Sequence, residues 1–140
     1  MKILVAVDGS RYTKRMLAYL AAHDEWLGPQ HRYTVLAVVA PVPALAASAV
    51  TKDLLKAHYE EDSEKVLKPV RSFLARQGLT VEYLAKTGAV AETIAALADK
   101  GKYDLLMMGS HGHGSLGNLV LGSVATKVMA LCKTPLLLVR

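Results

Sequence analysis

Hydrophobic and polar positions along this chain follow two periods, which predict five strands separated by four helices. The predicted strands are short apolar runs of the kind that parallel sheets bury, except that the third strand alternates apolar and polar residues. They cover residues 2–7, 33–39, 79–86, 104–108 and 136–139. Between them, apolar side chains recur every three or four residues, the spacing of amphipathic helices. Glycines at positions 28, 78 and 101 follow the first three helical stretches and indicate where these helices end.

Strict alternation of strands and helices predicts the α/β class, as a doubly wound five-stranded parallel sheet with helices on both faces. The predicted strand order is 3-2-1-4-5, within one domain covering residues 1–140. In such sheets, ligands bind beyond the carboxyl ends of the strands where the strand order reverses. The first and fourth strands meet there, and the segments following them, 8–10 and 109–123, are therefore the candidate site.

Two segments interrupt the regular pattern. Residues 44–51 are mostly alanine with small side chains, a composition typical of a mobile loop or lid. Pro69 falls inside the charged, amphipathic stretch 52–77, which predicts either a kink or two shorter helices, because proline removes a backbone donor and clashes with the preceding turn.

Composition narrows the classes of function. Hydrophobic residues make up 52% and charged residues 21% of the 140, as in a well-buried globular domain. The net charge of +5 is dispersed and lacks interleaved aromatic residues, so nucleic acid is not favoured, whereas an anionic nucleotide suits a positive field. The first strand turns polar at Asp8, too early for a signal peptide, and no apolar run reaches a membrane span of about 20 residues, so we expect a cytoplasmic protein.

Residues 109–123 read Gly-Ser-His-Gly-His-Gly-Ser-Leu-Gly-Asn-Leu-Val-Leu-Gly-Ser, between a predicted strand and a predicted helix. Such a loop aims free backbone N–H groups and a helix N-terminus at an anion, most often a phosphate. Residues 112–117 also match Gly-x-Gly-x-x-Gly, but no carboxylate follows at the end of the next strand as a dinucleotide site requires. The Gly-Lys-Ser/Thr ending of a phosphate-binding P-loop is absent from the sequence as well.

The spacing Gly109-x2-Gly112-x9-Gly122-Ser123, together with Asp8 after the first strand, resembles the nucleotide-binding branch of the universal stress protein family. Further similar segments are 3–10, the turn at Gly88, 106–112, 121–124 and 134–139, so the resemblance covers the whole chain. One departure is the turn Gly88-Ala89-Val90, because many relatives have proline two residues after the glycine.

The resemblance implies an ATP-binding module that acts in a stress response or in signalling, with ATP, ADP or AMP as the ligand and with or without Mg²⁺. It places Ala6, Val7 and Asp8 at the adenosine end and makes the backbone of Val39 a partner of adenine. The sugar would be flanked by Met108 and Gly109, and the phosphates would be held by Gly112, Gly122, Ser123 and Val124, with His111 beside them.

Some of these residues have other interpretations. Asp8 could cap the turn after the first strand, with or without contacting a ligand. His111 and His113 could suggest a metal pair, but without a third ligand we expect them to be exposed to solvent or near phosphate. Cys132 is expected to be a buried structural thiol.

Rapid catalysis is not expected from this sequence. Phosphoryl transfer uses a metal held near the phosphate, yet no acidic residue occurs from 109 to 140, which leaves Asp8 as the one candidate metal ligand. The alternatives are a slow ATPase or autophosphorylating enzyme, and an interaction protein that binds no nucleotide. Strand 136–139 should lie at the sheet edge and is entirely apolar, and the resemblance implies a homodimer formed through it.

Overall fold

The computed structural model describes residues 1–114 and 118–140. Ser115 and Gly117 of the glycine-rich stretch lie outside the described residues. The described residues form one parallel sheet of five strands in the order β3-β2-β1-β4-β5, which confirms the predicted class and order. The strands are β1 Lys2–Val7, β2 Arg32–Val39, β3 Thr80–Thr87, β4 Leu105–Gly109 and β5 Leu136–Val139.

Helices cover both faces of the sheet. In the described residues these are α1 Arg11–Ala22, α2 Asp24–Leu27, α3 Ala44–Ser48, α4 Lys52–Leu74, α5 Val90–Lys100 and α6 Ser123–Leu131, with a 3-10 turn at Ala75–Gln77. Among these helices, none is both long and apolar enough to cross a membrane.

The alternation of β1 divides the core into two layers. Ile3 and Val5 pack on one face with side chains of α1 and α4, whereas Leu4 and Ala6 pack on the other face with side chains of α5 and α6. Both faces of β1 are therefore buried, which explains why its sequence is apolar throughout rather than alternating. This burial fixes the carboxyl end of β1, where Asp8 begins the candidate site.

Two predictions about helices need correction, and one alternative for a third helix is excluded. The first helical stretch does not continue to Gly28, because α1 ends at Ala22 and the separate short helix α2 follows. Residues 44–51 were expected to form a loop, but Ala44–Ser48 is a short helix without buried residues. For the 52–77 stretch, the alternative of two shorter helices that meet at Pro69 is excluded, because α4 is one helix from Lys52 to Leu74.

The packing of α4 explains its continuity through Pro69. Leu67, Val70 and Leu74 are buried against the sheet on both sides of the proline, and this apolar face holds the helix together. Pro69 itself is exposed, so the hydrogen bond that it cannot donate is lost on the solvent side. The predicted end of the stretch is confirmed, since Gly78 adopts a left-handed φ of 67° after the 3-10 turn.

Candidate functional site

A cavity of about 300 Å³ lies at the carboxyl ends of β1 and β4, where the strand order reverses. This volume is at the lower end of the range of small-molecule sites, about 300 to 1,000 Å³. One side of the cavity is apolar and the other carries main-chain and polar groups. The apolar side is formed by Ala6, Leu36, Val38, Val90, Ile94, Met108 and Ala125, and the polar side includes Asp8, Thr13, His111, Gly112, His113, Gly122 and Ser123.

Asp8 uses its two carboxylate oxygens differently. Oδ1 accepts hydrogen bonds from the backbone N–H of Ser10 at 2.9 Å and from Oγ1 of Thr13 at 2.9 Å, while the Asp8 N–H donates to that same Oγ1 at 3.0 Å. Oδ2 accepts no hydrogen bond from the described residues. Asp8 therefore does stabilise the turn into α1, and its second oxygen is left for a ligand.

Three glycines of the predicted spacing are required by close contacts. A Cβ atom would lie 2.6 Å from Cβ of Tyr12 at position 109, and 2.8 Å from Oδ2 of Asp8 at position 112. At position 122 it would lie 3.0 Å from Cα of His111. Each distance is shorter than an ordinary contact between nonbonded carbon or oxygen atoms. Glycine at these positions therefore lets the main chain come close to Tyr12 of α1, to the Asp8 carboxylate and to His111 of the loop.

Helix α6 begins at the cavity without a side-chain cap. Its N-cap is Gly122, and its first turn contains no acidic residue. By contrast, α1 is capped by Ser10, whose Oγ accepts a hydrogen bond from the N–H of Thr13. The N–H groups of the first turn of α6 have no partner within the helix, and the helix dipole adds partial positive charge there. The start of α6 is consequently suited to an anion.

The two histidines of the loop bond to the protein through their rings. His111 Nε2 lies 2.8 Å from the carbonyl oxygen of Leu119, and its Nδ1 lies 2.8 Å from Oγ of Ser110. His113 Nε2 lies 2.7 Å from the carbonyl oxygen of Asp8. Because a carbonyl oxygen only accepts, each Nε2 must carry the proton of its hydrogen bond. Both rings line the cavity, but their observed partners are protein groups rather than a shared metal position.

The structure brings together ten of the eleven nucleotide-site residues predicted from the sequence. Val39 is the exception, since the described cavity lining contains Val38 instead. The two valines point to opposite faces of β2, because side chains alternate along a strand. The carbonyl oxygen of Val39 accepts a hydrogen bond from the N–H of Gly88 at 3.1 Å. The ten residues that line the cavity are Ala6, Val7, Asp8, Met108, Gly109, His111, Gly112, Gly122, Ser123 and Val124.

Most of the apolar residues that line the cavity were not predicted from the sequence. Leu36 and Val38 occur two residues apart in β2, so their alternation was the available signal that both face the same layer. Val90 and Ile94 lie one turn apart at the start of α5, and their helical spacing marked them only as core residues. Thr13 was not predicted as a site residue, although its hydroxyl contacts Asp8 and it lines the cavity.

An anion in this cavity would be bound by main-chain N–H groups rather than by lysine or arginine side chains. Among the described lining residues there is neither lysine nor arginine, and Asp8 is the one carboxylate. Within the described part of the chain, no three His, Cys, Asp or Glu side chains are grouped so that they could hold a metal ion. The protein donors therefore do not fit a metal site of their own, because Mg²⁺ requires about six oxygen ligands.

The fold defines an α/β protein with a cavity where the strand order of its parallel sheet reverses. The model of the universal stress protein family matches residues 1–140, and the chain belongs to that family. A relative from Thermus aquaticus, named "Universal stress protein in QAH/OAS sulfhydrylase 3'region", is 37% identical over 139 residues, which are 99% of this chain and 97% of the relative.

Solved structures agree with this assignment. The structure of hypothetical protein MJ0577, a universal stress protein of Methanocaldococcus jannaschii, matches with a TM-score of 0.81 and 25% identity, over 99% of this chain and 94% of that one. A universal stress protein from Archaeoglobus fulgidus in complex with dAMP matches with a TM-score of 0.66 and 22% identity, over 100% of this chain and 98% of that one. The second likeness concerns the fold alone.

Proposed function

We propose that this protein binds an adenine nucleotide in the cavity and acts as a nucleotide-dependent module in a stress response or in signalling. The observation that carries the proposal is the close approach of Gly112 and Gly122 beside the uncapped start of α6. Substitution of either glycine by a residue with a side chain would fill this space, and backbone N–H groups at a helix N-terminus are suited to phosphate.

The phosphate end of the nucleotide would lie against the start of α6. There, Ser123 and Val124 offer backbone N–H groups, Ser123 adds a hydroxyl, and Gly112 and Gly122 let the main chain approach closely. The N–H of Gly122 already donates to the carbonyl oxygen of Ser110 at 2.8 Å, so the proposed phosphate donors are those that follow it in the first turn. Because these donors lie at the positive end of the helix dipole, they can bind phosphate without a lysine or arginine clamp.

The adenosine end would lie on the apolar side of the cavity. Ala6, Leu36 and Met108 provide a surface for the flat faces of adenine, whose burial is favourable in proportion to the apolar area covered. Oδ2 of Asp8 would accept from the sugar or the base. Val39 would contribute through its main chain only, with its carbonyl oxygen accepting a second hydrogen bond besides that from Gly88.

The Archaeoglobus fulgidus relative supports an adenine nucleotide as the ligand class, because its structure is a complex with dAMP. For the present chain we propose ATP, ADP or AMP, and any Mg²⁺ would arrive with the nucleotide and take most of its ligands from phosphate and water. We do not expect fast hydrolysis, because Asp8 is the one carboxylate in the described lining and its Oδ1 is engaged in the turn.

The proposal is tested by calorimetric titration of the protein with AMP, ADP and ATP. A matched variant, Gly122→Asp, puts a carboxylate between the loop and α6, and we expect it to abolish binding by blocking and repelling phosphate. Binding to the original protein with no binding to a folded Gly122→Asp protein supports the site. Absence of any heat for the original protein would refute the proposed ligand class. Incubation with labelled ATP then distinguishes a module, which retains ATP unhydrolysed, from a slow ATPase, which releases ADP repeatedly.

We also propose a homodimer formed through β5. Leu136–Val139 pairs with β4 on one side and is an edge strand of the described sheet, and Leu136, Leu137 and Leu138 are only partly buried. An apolar edge strand with unpaired backbone groups favours pairing with another strand. Sedimentation analysis at micromolar concentration should give twice the monomer mass of 15.1 kDa, whereas a monomer would contradict this proposal. A cytoplasmic location stays a prediction.

A further inference from the structure

One hydrogen bond joins the glycine-rich loop to the end of β1 across the mouth of the cavity. Nε2 of His113 lies 2.7 Å from the carbonyl oxygen of Asp8, although the two residues are 105 positions apart in the chain. Both residues line the cavity. The imidazole is directed at a main-chain acceptor that stays in place, because the strand before it is buried on both faces.

The loop segment 111–114, which we call the strap, is also attached at its other end. The ring of His111 bonds to Ser110 and Leu119, both at 2.8 Å, and lies 4.9 Å from the ring of Tyr12 between centroids. Gly112 and Gly114 have no side chains to bond or pack, so the side chains that hold the strap are the two imidazoles. Gly114 has a left-handed φ of 69°, a conformation that glycine adopts without strain.

The attachment through His113 keeps Gly112 beside the ligand position. A Cβ atom on Gly112 would lie only 2.8 Å from Oδ2 of Asp8, so the main chain of the strap lies close to the carboxylate oxygen that accepts no hydrogen bond from the described residues. If the His113 bond is lost, the strap keeps one attachment and can move away from β1. The main chain of Gly112 then loses its fixed place opposite the start of α6.

We infer that His113 is a positioning residue that holds the strap over a bound nucleotide and slows its release. The inference rests on the proposed function and adds a named residue that controls how long the nucleotide stays. The strap is closed when the His113 hydrogen bond is formed and open when it is broken, and only the closed strap holds the Gly112 main chain beside the phosphate. Any change that favours the open strap therefore weakens retention of the nucleotide. Effects of this kind fall mainly on the dissociation rate.

The test measures the release of radiolabelled ADP into an excess of unlabelled ADP for four proteins. His113→Ala removes the donor, and we expect release to be about tenfold faster, the change that loss of one ordinary hydrogen bond produces. His113→Gln retains an N–H at a similar reach and should restore slow release. The control is His58→Ala, which removes an exposed imidazole on α4 whose ion-pair partner is Asp62, and should release ADP at the original rate.

The outcomes separate the two proposals. If the original protein retains none of labelled AMP, ADP and ATP, the proposed function fails. If it retains ADP and the folded His113→Ala protein releases it at the same rate, the strap is overturned and the site stands. If His113→Ala does not fold, the comparison is His113→Gln with the shorter His113→Asn, and equal release rates for these two would overturn the inference. Faster release from Ala or Asn with rescue by Gln supports it.

Discussion

Substitution of Gly122 by alanine tests how closely the loop and α6 must approach. The added Cβ atom would lie 3.0 Å from Cα of His111 and 3.2 Å from the carbonyl oxygen of Ser110. Both neighbours are main-chain atoms, so no side chain can rotate away. The N–H of Gly122 also donates to that carbonyl oxygen at 2.8 Å, which means that movement of residue 110 strains this hydrogen bond.

The size of the effect follows from these contacts. Overpacking of this kind costs about 1 to 3 kcal/mol of the free energy of unfolding. Nucleotide binding should suffer more, because a shift of the loop by a few tenths of an ångström misplaces donors on both sides of the phosphate. Loss of one charge-assisted hydrogen bond costs about 1.5 to 3 kcal/mol, or roughly a 10-fold to 100-fold weaker affinity.

The matched control is Gly78→Ala, because Gly78 is not among the described residues that line the cavity. Gly78 has a φ of 67° and no atom within 4 Å of an added Cβ, so alanine there is strained without any steric contact. Its cost is about 1 to 2 kcal/mol. Thermal unfolding and ADP titration of both variants separate stability from binding: we expect both to lose stability and only Gly122→Ala to lose ADP affinity. A folded Gly122→Ala protein with unchanged ADP affinity would contradict a phosphate site between the loop and the start of α6.

Three further predictions follow from individual side chains. Asp8→Asn keeps one oxygen that can accept the hydrogen bonds of the turn and replaces the other carboxylate oxygen by an NH2 group. Calorimetry should therefore show about tenfold weaker ADP binding with little change in stability, and an unchanged affinity would contradict this prediction. Hydrogen bonds from Thr134 lower the pKa of the Asp99 carboxyl group. The ionised carboxylate therefore stabilises the fold above the ordinary carboxyl pKa, and this stabilisation is lost as the pH falls through the lowered pKa of Asp99. The Asp99→Asn protein should not show this loss of stability when it is unfolded by acid. Acid unfolding curves that are identical for the variant and the original protein would contradict the prediction. Burial raises the pKa of Tyr33 from 10.0 to about 12, so the free energy of unfolding from denaturant titrations should fall as the pH rises through that interval. A free energy of unfolding that stays constant over that interval would contradict this prediction.

The fold was predictable because its signals are local and repeated. Apolar runs such as β1 are buried on both faces and cannot be mistaken for a solvated strand. The errors arose where tertiary contacts outweighed local preference. Pro69 is a strong local signal for a break, but buried Leu67 and Val70 hold α4 together across it. The end of α1 at Ala22 was missed because apolar spacing continues into α2.

The candidate site was predictable where chemistry is carried by special residue types. Asp8 and the glycines at 109, 112 and 122 stand out because each follows an apolar strand or precedes a helix. Val38 and Ile94 did not stand out, because an apolar residue that lines a cavity has the same pattern as one in the core. The His113 hydrogen bond to Asp8 was also beyond reach, since nothing local indicates a contact between residues so distant in sequence.

The central claim is that main-chain donors of the loop and of α6 bind the phosphates of an adenine nucleotide. The most direct test is a titration with ADP that follows the backbone amide signals of the ¹⁵N-labelled protein by NMR. We predict the largest shifts at Gly112, Ser123 and Val124, with smaller ones at Ala6 and Asp8 and little change along α4. Shifts concentrated elsewhere, or no shifts in a folded protein at saturating ADP, would contradict it.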